Sequence, residues 1–267
     1  MKKICKCLLF ILCFFAIERF CRLQTNGFSV NKIYSDHPFE EKWEVNNSEQ
    51  VDKLLSEPFY FIGSGVQYYA FVSADQKTVL KIVKPYHLCP NFILSKLPFP
   101  KAIKERKKRL DAIFQSAKIA YEELKEETGL IFLHLNRTHD KYPKVKLYDK
   151  LGICHEVSLD ESAFALQKKA KSFFSEPLLK QTIDRTFSLI QKRCKKGISN
   201  SDAVLSKNFG FVEDHAIEID IGSFTKNPFI SKPYATKREL LLETFELKQQ
   251  LKDDPELLKY YYEKIFD

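Results

Sequence analysis

Glycine and proline are scarce in this chain, 8 and 11 in 267 residues, which excludes collagen-like and low-complexity proteins. No motif returns at a period between about 20 and 50 residues, so a solenoid is excluded too. There is no C-x-x-C and no zinc-ligand spacing. Four of the seven cysteines (Cys5, Cys7, Cys13, Cys21) crowd the N-terminus, and Cys89, Cys154 and Cys194 lie far apart. A disulfide framework therefore has no support, and isolated cysteines read as small apolar residues. His87, His134, His139, His155 and His215 share no ligand spacing either. Without a G-x-S-x-G or a Cys/His pair, a hydrolase reading rests on nothing.

What is present is a chain with 44% hydrophobic and 29% charged residues, enough for a proper core. Its length suits a two-lobed single domain. The net charge of +8 draws on "KAIKERKKRL" (residues 101–110), which holds six bases and one acid. A solvated helix face explains such a run. No aromatic interleaving accompanies it, so nucleic acid is an unlikely partner.

The N-terminus is a separate object. In "MKKICKCLLFILCFFAI", Lys2, Lys3 and Lys6 precede an apolar run over residues 7–17, followed by Glu18 and Arg19. This is a charged region followed by an apolar core too short for the roughly 20 residues of a membrane span. Two readings stand for residues 1–25, a secretory signal or a retained signal-anchor. Both place the protein outside the compartment that made it or on a membrane. Residues 26–47 read as a linker.

Residues 48–267 read as one α+β domain. "NNSEQVDKLLSE" begins with capping residues and predicts a short helix ended by Pro58. "FYFIGSGVQYYAFVSADQKTVLKIVK" predicts a three-strand antiparallel meander. Residues 101–128 carry apolar side chains at helical spacing, closed by Gly129. "LIFLHLN", "KVKLYDK", "GICHEVSL" and "SAFALQKKA" predict further strands. A helix is expected over residues 177–194, then a loop and a hairpin in "NFGFVEDHAIEIDIGSF". Two final helices are expected in "TKRELLLETFELKQQLKDD" and "PELLKYYYEKIF". Strands first and helices later give a β-rich lobe and an α-rich lobe.

Gly63-x-Gly65 lies between two strands, which argues against a dinucleotide-binding turn that opens a helix. Such glycines serve a hairpin turn or let backbone N–H groups fold over phosphates. Lys81 shares a strand face with Val79 and Val83, opposite Leu80, Ile82 and Lys84. It is either an edge-strand lysine or a cation aimed at a partner.

In order, these features resemble the protein kinase-like fold, over roughly residues 58–225. The shared sequence is a glycine hairpin, a strand lysine, a long helix, more strands, a loop ending in Asn208 and then Asp220-Ile221-Gly222. "NFG" followed by "IDIGSF" also resembles a kinase-like family of chlamydia-type bacteria. The resemblance implies a β-rich N-lobe (about 48–168) and a reduced helical C-lobe (about 169–267). It implies that Gly63 and Gly65 cover the phosphates of ATP and that Lys81 contacts them. Glu123, or its neighbour Glu122, would pair with Lys81. Asn208 and Asp220 would hold Mg²⁺, and Asp202 would take the acceptor proton.

The chain departs from that pattern in three places. Tyr68 replaces the third glycine. No His-Arg-Asp exists, and the corresponding segment "KKGISNSDAVLSKN" offers Asp202 or Asn200. Only 45 residues follow Gly222, without Ala-Pro-Glu. The expectation is an atypical ATP/Mg²⁺-dependent phosphotransferase of unknown acceptor. Its alternatives are a catalytically inactive pseudokinase or a membrane-anchored interaction protein.

Overall fold

The computed structural model describes residues 2–35, 37–47, 51–85, 100–175 and 177–266. His87, Cys89 and residues 48–50, where the short helix was expected to start, lie outside the described residues. The protein is α+β, as expected, and divides into two compact units that interleave along the chain. The first is Met1–Glu40, Gln50–Lys107 and Leu135–Phe164; the second is Glu41–Glu49, Lys108–His134 and Ala165–Asp267.

The first unit opens with α1 (Lys2–Gln24), whose apolar side chains stand in solvent, Phe10 at 74% exposure. Among the described residues no helix is long and apolar enough to cross a membrane. A single turn, α2 (Asp52–Leu55), forms from the expected short helix. The meander then appears as expected: β1 (Phe59–Ser64), β2 (Tyr68–Ser73) and β3 (Thr78–Val83). Aromatic and β-branched residues fill both faces, which suits a pleated sheet. The β1–β2 register shifts between Phe61 and Gly63, a bulge at Ile62. One sheet face is closed by Phe28, whose ring meets Tyr69 and Phe71 edge-on, each at 5.2 Å.

Strand β4 (Leu130–His134) belongs to the second unit, whereas β5 (Val145–Tyr148) and β6 (Cys154–Val157) extend the first. β5 runs parallel to β1 and β6 antiparallel to β5, so the first unit's strands lie in the order β3-β2-β1-β5-β6.

Most of α3 (Pro100–Glu122) lies in the second unit. Its start carries the exposed basic run, and its later turns bury Leu110, Ile113, Phe114, Ala117 and Ala120. The expected single helix breaks at Leu124, whose φ of −120° and ψ of 29° are not helical. A separate turn, α4 (Lys125–Thr128), follows and ends on Gly129. That glycine adopts φ 63° and donates its N–H to the Glu126 carbonyl, the left-handed cap expected of it.

Next come β7 (Phe164–Lys168), which neighbours β4, and the two-residue β8 (Lys171–Ser172). Helix α5 (Lys180–Lys195) starts three residues later than expected. Thr182 Oγ1 accepts the Leu179 N–H and donates to the Pro177 carbonyl, holding those residues extended ahead of the first turn. After it run β9 (Ile198–Asn200), α6 (Leu205–Asn208), and the hairpin of β10 (Phe209–Val212) and β11 (His215–Glu218). Then come β12 (Phe224–Lys226) and α7 (Pro233–Glu243), α8 (Phe245–Gln250) and α9 (Pro255–Phe266).

The first of the two expected final helices is split at Thr244. This buried residue bonds its hydroxyl to the Leu240 carbonyl and to the Tyr261 hydroxyl at 2.8 Å. The unit's core joins Ile183, Phe187 and Ile190 of α5 to Leu240, Leu247 and Tyr261. Each such side chain contributes about 1.5–3 kcal/mol by leaving water.

Gly210 in β10 lies where two backbones meet. A Cβ there would fall against the Lys171 carbonyl oxygen of β8, the Ala170 Cβ and the Ile219 Cδ1. Gly210→Ala should therefore force the strands apart and destabilise the protein by about 1–3 kcal/mol, measured as a lower denaturant midpoint. An unchanged midpoint would show that β8 gives way freely.

Candidate functional site

Two stretches of the second unit, residues 200–208 and 219–224, are tied together at both ends. At one end β9 and β12 pair, with Asn200 opposite Phe224 and Ser199 opposite Thr225. The Ser201 N–H adds a bond to the Ser223 carbonyl. At the other end β10 and β11 pair from Phe209–Glu218 onward, and the Ile219 N–H reaches the Asn208 carbonyl at 2.6 Å. Two loops fixed at both ends hold their side chains with little backbone freedom. The hairpin fold read from the sequence is present, and it puts Asn208 and Asp220 one residue out of step across the same ladder end.

Three of the expected site residues lie on these loops. Asn208 is half-buried and donates its side-chain N–H to the Asp202 carbonyl at 2.6 Å. Its amide oxygen receives no hydrogen bond from the described residues. Asp220 is half-buried; its Oδ1 accepts the Gly222 N–H at 3.0 Å, and its Oδ2 has no partner among them. Asp202 is exposed, and its backbone is held at both groups, by Asn200 Oδ1 on its N–H and by Asn208 on its carbonyl.

Asn200, the alternative occupant of the base position, is buried and fully engaged. Its amide donates to Glu218 Oε2 at 2.6 Å, and its oxygen accepts the Ser223 hydroxyl at 2.6 Å as well as the Asp202 N–H. It braces the two loops.

Beneath Asn200 lies a buried ion network. The Arg193 side chain is wholly buried; it donates to Glu218 Oε1 at 2.6 Å, to both oxygens of Glu243 at 2.5 and 2.6 Å, and to the Ile198 carbonyl at 2.9 Å. Burial alone would lower the arginine's pKa, but Glu218 and Glu243 outweigh it and raise it. Burial, with help from the Glu218 charge, pushes Glu243 up to about 8 against the pull of Arg193.

The sequence pointed to neither Ser116 nor Gln167. Ser116 of α3 donates its hydroxyl to the Ile221 carbonyl and accepts the Phe224 N–H, both at 2.7 Å. It thereby clamps the Asp220-Ile221-Gly222 turn onto the helix. A polar residue inside the apolar stripe of residues 113, 117 and 120 was the available signal. Gln167 of β7 donates to the Thr128, Glu218 and Ile219 carbonyls. Glu123, expected to pair with Lys81, carries an ion pair with Lys226 of β12, and Glu122 lies 3.7 Å from Lys118.

The first unit holds the other expected residues. Gly63 pairs with Ala70, and Ala70 with Lys81, so the three form one row across β1, β2 and β3. Neighbouring strands lie about 4.8 Å apart, which puts Gly63 and Lys81 roughly 10 Å from each other. Lys81 is buried, 7% exposed. Neither Gly63 nor Gly65 has a left-handed φ, and a Cβ on Gly63 would meet nothing within 4 Å. The hairpin turn itself thus does not require these glycines.

No protein family model matches the chain, and no curated protein matches it. Solved structures do. The bifunctional kinase-methyltransferase WbdD matches at 13% identity, with 74% of this chain and 42% of that chain covered and a TM-score of 0.38. WbdD with the kinase inhibitor LY294002 matches at 15%, over 76% and 45%, with a TM-score of 0.38. The ROP18 kinase domain in complex with AMP-PNP and sucrose matches at 12%, over 62% and 51%, with a TM-score of 0.33. The chain spans less than half the length of the WbdD chains. Overlaps this loose do not bear on activity.

The ion network makes a sharp stability prediction. Arg193→Met leaves the buried Glu218 and Glu243 side chains without their shared donor and should cost about 3–5 kcal/mol. Glu243 binds its proton more tightly folded than unfolded. It therefore favours folding below its unfolded pKa, and that contribution is lost as pH rises toward about 8. Glu243→Gln should flatten this decline, so the variant gains on the wild type between about pH 4.5 and 8 in urea melts. Parallel pH profiles would refute the assignment.

Proposed function

We propose that this protein is an atypical ATP- and Mg²⁺-dependent phosphotransferase held at a membrane or exported through α1. The observation that carries the reading is the double tie between residues 200–208 and 219–224, which presents Asn208, Asp220 and Asp202 from fixed loops. Two oxygens there, of Asn208 and Asp220, have no partner among the described residues and are hard ligands of the kind Mg²⁺ takes. This ion completes its shell with water and nucleotide phosphates, so a two-ligand set suits it. Bound magnesium would offset phosphate charge.

The remaining roles fall to this chain's own groups. Lys81 neutralises phosphates in the first unit, and Gly63, which projects no side chain in the same row, leaves them room. Asp202 accepts the proton of an acceptor hydroxyl. The hydroxyl oxygen bonds to the γ-phosphorus while the bridging bond to the β-phosphate breaks. Fixed charges of this kind do most of the work in phosphoryl transfer. A second reading, a nucleotide-binding module without catalysis, is favoured by the Asp202 carboxylate. It is exposed and no described residue orients it. Export by a secretory route would also leave ATP scarce on the far side.

Thermal unfolding of the full chain with ATP and MgCl₂ tests the site. Nucleotide at about 100 times its Kd should add about 2.7 kcal/mol of stability. That gain should vanish in Asp220→Ala and shrink in Lys81→Met. Stabilisation equal in wild type and Asp220→Ala, or none in either, rejects the nucleotide reading. Loss of product formation in Asp202→Ala with nucleotide binding intact separates the kinase from the silent module.

A further inference from the structure

The sheet face opposite Lys81 carries a second lysine that has no counter-ion among the described residues. Lys84 follows β3 directly and is 6% exposed. Its ammonium donates to Ser64 Oγ at 2.6 Å and to the Gly65 carbonyl, and lies 4.3 Å from the Tyr69 ring centroid. All three partners are neutral. Burial first, and then the charges of Lys32 and Arg22, push its pKa down to about 8. A buried cation crowded by cations is destabilised unless something negative joins it.

The space for that partner exists. A cavity of about 570 Å³ lies between α1 and the tip of the β1–β2 hairpin, with Arg19, Arg22, Ser64, Tyr69 and Lys84 in its wall. Glu18 is the one acid among the lining residues. Neither arginine has an ion-pair partner among the described residues. Phe15 and Leu23 give the same cavity an apolar side. The volume suits a small organic ligand.

We propose that this cavity binds a phosphate monoester, held by Arg19, Arg22 and Lys84 and separate from the loops that hold Asn208 and Asp220. Guanidinium groups suit a phosphate because they meet it with paired N–H donors. The bound anion competes with Ser64 and Gly65 for the Lys84 ammonium, so occupancy reaches the glycine turn. Because α1 supplies both arginines, the inference rests on α1 being retained as an anchor, the membrane half of the reading above. The phosphate can belong to a soluble molecule or to the headgroup of a lipid met by the exposed apolar side chains of α1.

The test uses the full chain purified in detergent, its intact mass reporting whether α1 is present. Inorganic phosphate is titrated at constant ionic strength with Tm as readout, and flotation compares phosphatidylcholine vesicles with and without phosphatidic acid. Arg22→Gln, on an exposed helix, leaves the fold in place, and Lys77→Gln serves as a charge control. A saturable phosphate shift, weakened at least 10-fold in Arg22→Gln and kept in Lys77→Gln, supports a soluble ligand. Flotation that needs phosphatidic acid and is lost in Arg22→Gln alone supports the lipid. Equal responses in wild type and Arg22→Gln, or none in either assay, overturn the site. A mass lacking α1 overturns site and anchor together. Nucleotide stabilisation abolished by Asp220→Ala is scored separately, so either failure is distinguishable from the other.

Discussion

Burying the guanidinium of Arg193 constrains more of the second unit than any other single interaction. A charge at zero exposure is tolerable only if its donor nitrogens are met, and here three other elements meet them. Glu218 comes from β11, Glu243 from α7, the Ile198 carbonyl from β9, and the arginine itself from α5. Removing one partner leaves an uncompensated buried charge, the costly half of such a network. Glu218 spans two jobs, since its second oxygen holds Asn200. Through Asn200 the network reaches Asp202 and Ser223, so the loops that carry the candidate chemistry hang from it.

The first unit separates two cations by strand parity. Lys81 and Lys84 are three residues apart, which places them on opposite faces of the sheet. Lys81 joins the row of Ala70 and Gly63, where no side chain projects from the glycine. Lys84 emerges beside Tyr69 and takes hold of the hairpin tip at Ser64 and Gly65. One short strand can thus serve the glycine turn from both sides. The bulge at Ile62 permits this, because it sets Gly63 rather than Ile62 opposite Ala70.

Strong periodicity made much of this legible in advance. The meander, α3, α5 and the β10–β11 hairpin all follow from apolar spacing and turn residues, and the α+β order follows from them. The three-residue strand β9 and the two-residue β8 were illegible, because so few residues show no alternation. They exist through pairing with β12 and β10, which is a tertiary fact. The breaks at Leu124 and Thr244 were hidden for a similar reason: both sit in good helical patterns and are decided by burial and by the Tyr261 hydroxyl. Asn208, Asp220 and Asp202 could be named from their order along the chain. Arg193 and Glu243 could not, since a charged residue on a helix reads as solvated until its neighbours are known. Asn200 could be named as a candidate for the base position, but not as the brace between Glu218 and Ser223. Ser116 was the exception, a polar residue in an apolar stripe that spacing alone could have flagged.

The helices that follow Gly222 supply what the loops require. Helix α7 brings Glu243 to Arg193, and Thr244 ends that helix by bonding Leu240 and Tyr261. Tyr261 in turn places α9 against Phe187 of α5, with ring centroids 5.3 Å apart. The tail therefore closes the same core whose opposite side is the Arg193 network. The second glutamate on the buried arginine arrives within the first of these helices. The fixed loop frame depends on α5 and α7, which meet where Arg193 holds Glu243.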